Sequence, residues 1–269
     1  MGLMNFVAST KENELNTMIV AMLDKETNYF SSSFTNIYQG IQSVIMQRKC
    51  FVTWSLELVA ANQLSNEVVA VAFSNLDRFL GTKYGHHVIN DSKLYQIAAF
   101  SSLSIAIKML ASTNPYLGSD QNLSHGLYSS KDLIKMENVI MNVLQWQLNP
   151  PTVFSFIELF VELLHVKYPI TNKDSFMQCL FAKAGKALND GRFLNMKPSI
   201  IAAIFILTSD ESRVHPFYNQ HKIFSKFPSF YVAIVSLNKT LQQMPKRKVR
   251  KRIEDEVTSN KRKKIEIAK

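Results

Sequence analysis

Residues 97–112 read IAAFSSLSIAIKMLAS, and this stretch decides the fold class of the chain. Its single charge is Lys108. A run that is apolar on all sides predicts a helix in the middle of an α-helical core. Because lysine is almost never fully buried without a partner, we expect Lys108 to emerge at a surface.

A second apolar run, residues 68–80 (VVAVAFSNLDRFL), carries only the charges of Asp77 and Arg78. A buried charge needs a counter-charge close to it. The nearest upstream candidate on an apolar helix is Arg48, in MQRKCFVTWSLEL at residues 46–58. The sequence therefore predicts a structural ion pair between Arg48 and Asp77.

Apolar residues recur at helical spacing along most of the chain, and glycine and proline are few, with eight of each in 269 residues. This pattern predicts an all-α protein. The predicted helices of a first set span residues 12–29, 35–61, 67–81 and 92–114, then a short turn or helix at 120–125 and a helix from residue 129. His86 and His87 fall in a predicted loop. After the break at Asn149-Pro150-Pro151-Thr152, helical patterns at residues 154–164, 174–188, 198–207 and 230–244 form a second set.

The two sets of helices read as a repeat. Each set contains an all-apolar helix, at residues 97–111 and 199–207, offset by about 100 residues. Packing outer helices around such a centre buries its surface, so we expect the second set to be a diverged copy of the first.

Composition narrows the class of protein. The hydrophobic content of 46% supports a large core, and no apolar run approaches the ~20 residues that a bilayer requires. Cys50 and Cys179 are far apart, which predicts neither a disulfide framework nor a zinc site. Residues 245–269 hold eleven Lys or Arg and four Asp or Glu, a net charge of +7, which leaves +3 of the total +10 for the rest.

Motifs of catalysis are absent from the sequence. We find no phosphate-binding glycine-rich loop with lysine, no nucleophile elbow, no paired catalytic carboxylates and no histidine spacing typical of a metal site. We therefore expect a protein that is not an enzyme and that carries no metal or cofactor.

Several residues together resemble the first box of the cyclin family. Arg48, Trp54, the DRFL of residues 77–80, Lys108 and Glu137 match that box in order and spacing. The resemblance covers about residues 16–151. Further on, FLNMKPS and the IIAAIFIL that follows it, residues 193–207 together, are similar to the middle of a second, degenerate box.

The resemblance implies an all-α architecture of two tandem five-helix cyclin boxes, the second diverged. The implied segments are an N-terminal helix segment at 1–34, a kinase-binding box 1 at 35–149, a diverged box 2 at 150–244 and a disordered basic tail at 245–269. A transcription or nucleic-acid-binding factor that uses the same double repeat is the alternative. The basic tail favours that alternative, whereas the nearly neutral body and the missing cysteine ribbon disfavour it.

The implied function is that of a regulatory subunit that binds and activates a cyclin-dependent protein kinase. In cyclins, the residues that correspond to Lys108 and Glu137 grip the kinase, and we expect flanking apolar contacts from Ile105, Met109, Met141, Ile19 and Met22. From the pattern alone, a solvated lysine in an intramolecular ion pair is equally possible. Where cyclins usually carry acids after this lysine, the chain has Met109-Leu110-Ala111. A cyclin-fold scaffold without kinase binding therefore stays open.

A stripe of residues on the predicted second helix has two readings. The stripe recurs at intervals of three and four residues, and it contains Gln47, Cys50, Phe51, Trp54 and Glu57. Ordinarily such a stripe is core. In cyclins it is instead a shallow groove that docks basic-x-Leu peptides of substrates or inhibitors, with Gln96 as its amide and Glu57 as its acid.

The tail carries two basic clusters separated by residues 253–260. They are typical of a bipartite nuclear import signal, which would bind an import receptor and place the protein in the nucleus, with shuttling to the cytoplasm possible. Solvated charge or weak attraction to nucleic acid is the alternative. The cluster residues are Lys246, Arg247, Lys248, Arg250, Lys251, Arg252, Lys261, Arg262, Lys263 and Lys264.

The sequence of the first box and of the residues before it suggests a cyclin subclass. AMLDKE at residues 21–26 and the Arg48-Lys49, Thr53-Trp54 and Leu56-Glu57 pairs look closest to D-type, G1-class cyclins. The chain lacks the Leu-x-Cys-x-Glu sequence of those cyclins and the N-terminal destruction box of mitotic ones. A role at the G1/S transition is the resulting expectation.

Overall fold

The computed structural model describes residues 2–30, 42–111, 123–124, 126–194 and 196–209. All of them belong to one compact unit, Met1–Gln220. Regular structure in these ranges is entirely helical, which confirms the predicted all-α class. The α-helices are α1 (Gly2–Tyr29), α2 (Gln42–Ala61), α3 (Glu67–Leu80), α4 (Lys83–Ile89), α5 (Ser92–Leu110), α6 (Ser130–Val143), α7 (Val153–Lys167), α8 (Lys173–Ala187) and α9 (Pro198–Leu207), with a 3₁₀ turn at Gly191–Phe193.

Helix α5 lies at the centre of the first group of helices. It packs against α3, α4 and α6, and every residue from 97 to 107 is buried. Alanine and serine alternate with larger apolar residues along it, so neighbouring helices approach closely on all sides. Asp91 caps the start of the helix: its Oδ1 accepts hydrogen bonds from the backbone N–H groups of Lys93 and Leu94 at 2.8 and 3.1 Å.

Helix α4 was not predicted from the sequence. Its seven residues are too few to show helical periodicity, and the prediction that His86 and His87 lie in a loop is wrong, because both are exposed residues of this helix. Thr82 caps the helix by accepting the N–H of Gly85 at 3.2 Å. Gly85 also allows close packing on α3, since an added Cβ would lie 2.3 Å from Leu80 Cα.

Other helix ends also differ from the sequence prediction. Helix α1 begins at Gly2 rather than at residue 12. At the start of α3, Ser65 Oγ accepts the N–H of Glu67 at 3.1 Å, and Asn66 makes no side-chain cap bond. Of the predicted turn at 120–125 only residues 123–124 are described, and the predicted helix at 230–244 and the basic tail lie outside the described residues.

Arg48 and Asp77 form a bidentate ion pair that joins α2 to α3. Arg48 Nε and Nη2 donate to the two carboxylate oxygens of Asp77 at 3.0 and 2.8 Å. Arg48 Nη1 donates to the carbonyl of Leu188, at the end of α8, at 3.0 Å. The side chains are only 8% and 13% exposed, so the pair is shielded from water and ties three helices together.

The connection from α6 to α7 is held by side chains of α3. Asn75 Nδ2 donates to the carbonyl of Leu148 at 2.7 Å, and Arg78 Nη1 donates to the carbonyl of Gln147 at 2.5 Å. Helix α7 then begins with a reciprocal capping box between Thr152 and Ser155, at 3.1 and 3.0 Å. The prediction of a break at residues 149–152 thus corresponds to a fixed turn.

Helix α7 packs against α1, α8 and α9 in the second group. Glu26 of α1 accepts hydrogen bonds from the backbone N–H and the hydroxyl of Ser199 at 2.8 and 2.7 Å, and thereby caps α9. Burial raises the pKa of Glu26, and the bonds from Ser199 oppose that rise. Glu162 of α7 pairs with Lys173 and with Lys11, and the Lys173 hydrogen bond lowers the pKa of Glu162.

Replacing Gly85 with alanine tests the close contact of α4 with α3. The new Cβ would lie 2.3 Å from Phe79 O and Leu80 Cα, both backbone atoms, so the helices must separate. We expect the free energy of unfolding, measured by urea denaturation, to fall by about 2 to 3 kcal/mol. Gly191→Ala is the control, because nothing lies within 4 Å of its added Cβ. Equal stability of the two variants would contradict the prediction.

Replacing Asp77 with alanine tests the ion pair, because the change leaves the buried Arg48 guanidinium without its carboxylate. We expect the free energy of unfolding to fall by about 3 kcal/mol in urea denaturation. Asp91→Ala is the matched control: it removes an exposed helix cap, which costs about 1 kcal/mol. A loss at Asp77 no larger than that at Asp91 would show that the pair does not hold the helices together.

Candidate functional site

Lys108 and Glu137 form a half-buried ion pair at the end of α5. Lys108 Nζ lies 2.7 Å from Glu137 Oε1 and 2.9 Å from Oε2. Glu137 belongs to the buried stripe of α6 with Leu133 and Ile140, because positions four and three residues apart share one helix face. The Glu137 side chain is 9% exposed and the Lys108 side chain is 44% exposed. A buried carboxylate therefore holds a cation at the surface.

Exposed apolar side chains lie near this pair in sequence, on the same two helices. Met109 and Leu110 end α5 with 40% exposure each, and Ile134 lies one turn before Glu137 on α6 with 47% exposure. Met141 is half-buried on the same helix. Leu110 and Ile134 were missed from the sequence, although the spacing of Ile134 from Glu137 could have revealed it.

Two of the apolar contacts predicted from the sequence are corrected by the structure. Ile19 is 0% exposed and Ile105 is 4% exposed, so both are core residues of α1 and α5 and offer no surface to a partner. Met22 is half-buried on α1, whereas Met18, which was not predicted, is 54% exposed. Periodicity locates an apolar stripe but does not tell which part of it meets the core.

The predicted stripe on α2 lies at the surface rather than wholly in the core. Along α2 the exposed or half-buried positions are Gln47, Cys50, Phe51, Trp54 and Glu57, and Gln96 lies half-buried on α5. We call this surface the α2/α5 groove, after the docking groove that the resemblance implies. Its floor is aromatic: Phe100 of α5 lies edge-on to Phe51 and Trp54, with ring centroids 5.1 and 5.3 Å apart.

Both amides of the groove are engaged in internal hydrogen bonds. Gln47 Nε2 donates to Ser92 Oγ at 3.0 Å, and the hydroxyl of Tyr128 donates to Gln96 Oε1 at 2.5 Å. Sequence reasoning missed Phe100 and Tyr128. Phe100 follows Gln96 by four residues and so shares its helix face, whereas Tyr128 lies in a loop that shows no periodicity.

Other predicted features concern metals, membranes and the tail. No group of three His, Cys, Asp or Glu in the described ranges could hold a metal ion. Among the same residues, no helix combines the length and hydropathy that a bilayer span needs. Cys50 and Cys179 are exposed free thiols. The ten basic residues of the predicted import signal lie outside the described part of the chain.

Comparison with known proteins identifies one family. The model of the cyclin N-terminal domain matches residues 17–149. The crystal structure of a viral cyclin from herpesvirus saimiri superposes with a TM-score of 0.57 at 18% identity, over 74% of this chain and 86% of that one. This likeness confirms the predicted cyclin fold.

Relatives come from several cyclin classes. G1/S-specific cyclin-D1 of Danio rerio is 29% identical over 71% of this chain and 64% of its own. Cyclin-A3-2 of Arabidopsis thaliana is 24% identical, and the match covers 67% of this chain and 48% of that protein. G1/S-specific cyclin-E1 of Mus musculus is 27% identical, and the match covers 54% of this chain and 34% of that protein. The chain thus spans half or less of the length of the latter two, and the identities do not separate the classes.

Cyclins are non-catalytic regulatory subunits, which agrees with the prediction that the chain is not an enzyme. The domain match covers both Arg48 and Asp77 and both Lys108 and Glu137, the pairs whose geometry is described above. Together with the helical arrangement and the relatives from three classes, it establishes that this chain belongs to the cyclin family.

Proposed function

We propose that this chain is a regulatory subunit that binds and activates a cyclin-dependent Ser/Thr protein kinase. The observation that carries the proposal is the Lys108–Glu137 pair, in which a buried carboxylate fixes a surface lysine. The exposed Met109, Leu110 and Ile134 give that surface an apolar character. Apolar side chains of this kind supply affinity at an interface, while a fixed charge sets register and specificity.

Activation then requires no chemistry from this chain. A partner that binds only the active arrangement of a kinase shifts the population of that kinase toward it, and the energy comes from the interface. The absence of acids after Lys108 gives the site a more apolar character than cyclins usually have, with Met109 and Leu110 in their place. We infer that this difference bears on which kinase is bound.

The α2/α5 groove is proposed to recruit substrates or inhibitors that carry a basic-x-Leu motif. Glu57 places an exposed carboxylate on the same stripe as Trp54, three residues away. A basic side chain of the peptide complements this acid, and the leucine packs on the aromatic floor formed by Phe51, Trp54 and Phe100. Aromatic anchors in shallow pockets commonly carry most of the binding energy of such contacts.

The remaining proposals concern the domain organisation of the chain, its localisation in the cell and the stage of the cell cycle at which it acts. We propose that residues 150–244 form a diverged second box; the packing of α8 and α9 on α7 supports this. The two basic clusters of the tail support nuclear import through an import receptor. The D-type spelling at residues 21–26 supports a role in G1/S progression, and two of the relatives above are named G1/S-specific cyclins.

Exchanging the charges of Lys108 and Glu137 tests kinase binding. The double variant Lys108→Glu/Glu137→Lys can still form an internal ion pair, so we expect an unchanged circular dichroism spectrum, but the surface charge is reversed. Recovery of a kinase with the tagged full chain from its own cells should fall by about thirtyfold. Phosphorylation of a Ser/Thr-Pro peptide by the purified complex should fall with it.

Lys135→Glu is the control, because Lys135 is exposed and lies two residues from Glu137, on the opposite side of α6. Undiminished kinase recovery with the folded double variant would contradict the proposal. Nucleic acid or transcription proteins recovered with the wild-type chain, in the absence of any kinase, would favour the alternative cyclin-fold transcription factor.

Replacing Glu57 with glutamine tests the acid of the groove. A fluorescein-labelled synthetic peptide containing Arg-Ala-Leu serves as the probe, and its affinity for the full chain is measured by fluorescence anisotropy. We expect the affinity to fall about threefold at low salt, and the difference from wild type to vanish at high salt. Glu14→Gln, at an exposed position of α1, should leave the affinity unchanged. Equal losses for the two variants would show that only net charge matters.

A further inference from the structure

A cavity lies where the first group of helices meets the second. Its walls come from α2 and α3 of the first group and from α1, α7, α8 and α9 of the second. No residue of the proposed kinase-binding surface or of the α2/α5 groove lines it. Most of the lining side chains are apolar, and the aromatic rings among them are Tyr29, Phe30, Phe73 and Phe193.

Three charged side chains line the cavity, and each of them is engaged within the protein. Arg48 donates to both carboxylate oxygens of Asp77 and to the carbonyl of Leu188. Glu26 accepts one hydrogen bond from Ser199 at each of its carboxylate oxygens. A charged ligand would therefore lose its hydration without finding a free counter-charge, which is costly. The cavity favours a ligand that carries no charge.

The volume of the cavity limits the size of that ligand. An apolar cavity of about 150 Å³ in another protein binds benzene, so the volume of about 130 Å³ found in this chain suits a single ring. Phe73 of α3, Ala184 of α8 and Ile201 of α9 are at most 5% exposed, so the core holds these parts of the wall in place. Burial of apolar surface and close contact with such walls supply the affinity.

We propose that this cavity is a binding site for a small, uncharged, apolar molecule that contains one ring. The bound molecule contacts Phe73 on one side and Ala184 and Ile201 on the other, so it joins the two groups of helices. The Arg48–Asp77 pair borders the same cavity, and binding therefore stabilises the junction that this pair holds. The proposal does not depend on kinase binding or on peptide docking.

Nuclear magnetic resonance locates the ligand. Benzene is the probe, and it is added to the full chain with labelled isoleucine methyl groups. We expect nuclear Overhauser effects between benzene and the methyl groups of Ile201, whose signals are assigned with the Ile201→Val variant. Ile134 is the matched control, because it is exposed and does not line the cavity. Effects at Ile134 without effects at Ile201 would show that benzene only coats exposed apolar surface, and would overturn the proposal.

Filling the cavity tests the site by a second route. Saturating benzene should raise the Tm of the wild-type chain by about 3 °C, because a ligand that binds only the folded state stabilises it. In Ala184→Leu the added carbons occupy the cavity, so the affinity for benzene should fall roughly tenfold and the rise in Tm should disappear. Ala182→Leu, at an exposed position of the same helix, should keep both. An equal rise in Tm for a folded Ala184→Leu variant would contradict the proposal, and the contacts of Ile201 decide if that variant does not fold.

Charged analogues test the chemical class of the ligand. Benzylammonium and benzoate carry the same ring with a positive or a negative charge. We expect both to bind roughly tenfold more weakly than benzene, since Ser199 engages Glu26 and Asp77 engages Arg48. Tighter binding of benzylammonium than of benzene would make Glu26 a ligand-binding carboxylate and would overturn the apolar class. The absence of any benzene contact at Ile201 would overturn the site itself.

Discussion

The ion pair between Arg48 and Asp77 is the contact on which the arrangement of helices depends. Arg48 binds the Asp77 carboxylate with two nitrogens and the Leu188 carbonyl with a third, so a single guanidinium fixes α2 and α3 to the end of α8. The guanidinium is planar and its donors point in fixed directions, so few other arrangements of the two helices would satisfy it. Since the α2/α5 groove lies along α2, its shape depends on the same pair that orients α2.

Helix α5 connects the two proposed binding surfaces. Gln96 near its start belongs to the α2/α5 groove, and Lys108 near its end belongs to the proposed kinase-binding surface. Twelve residues of α-helix separate them, which corresponds to about 18 Å. Because residues 97–107 are buried on all sides, the helix cannot turn without disrupting the core. A rigid helix of this kind would hold a docked peptide at a constant distance from a bound kinase.

Long helices and their charged residues were predictable because each depends on local pattern. The run at residues 97–112 indicates a central helix by composition alone, and lone charges in apolar runs point to their counter-charges. Helix α4 was missed because seven residues carry too little periodicity. Ile19 and Ile105 were assigned to a partner surface because apolar residues look alike in sequence wherever they lie. The Glu26–Ser199 contact joins residues 173 positions apart, so no local sequence pattern predicts it.

Hydrogen bonds in the groove show why the site could be only partly derived. The spacing of residues on α2 indicates one stripe, and Glu57 and Trp54 can be placed on it. The hydrogen bonds of Gln47 and Gln96 depend instead on Ser92 of α5 and on Tyr128 of a loop, which the spacing on α2 does not reveal. An amide has two ends of opposite character, so its identity does not say whether it donates or accepts. The orientation of these amides is therefore a property of the tertiary structure.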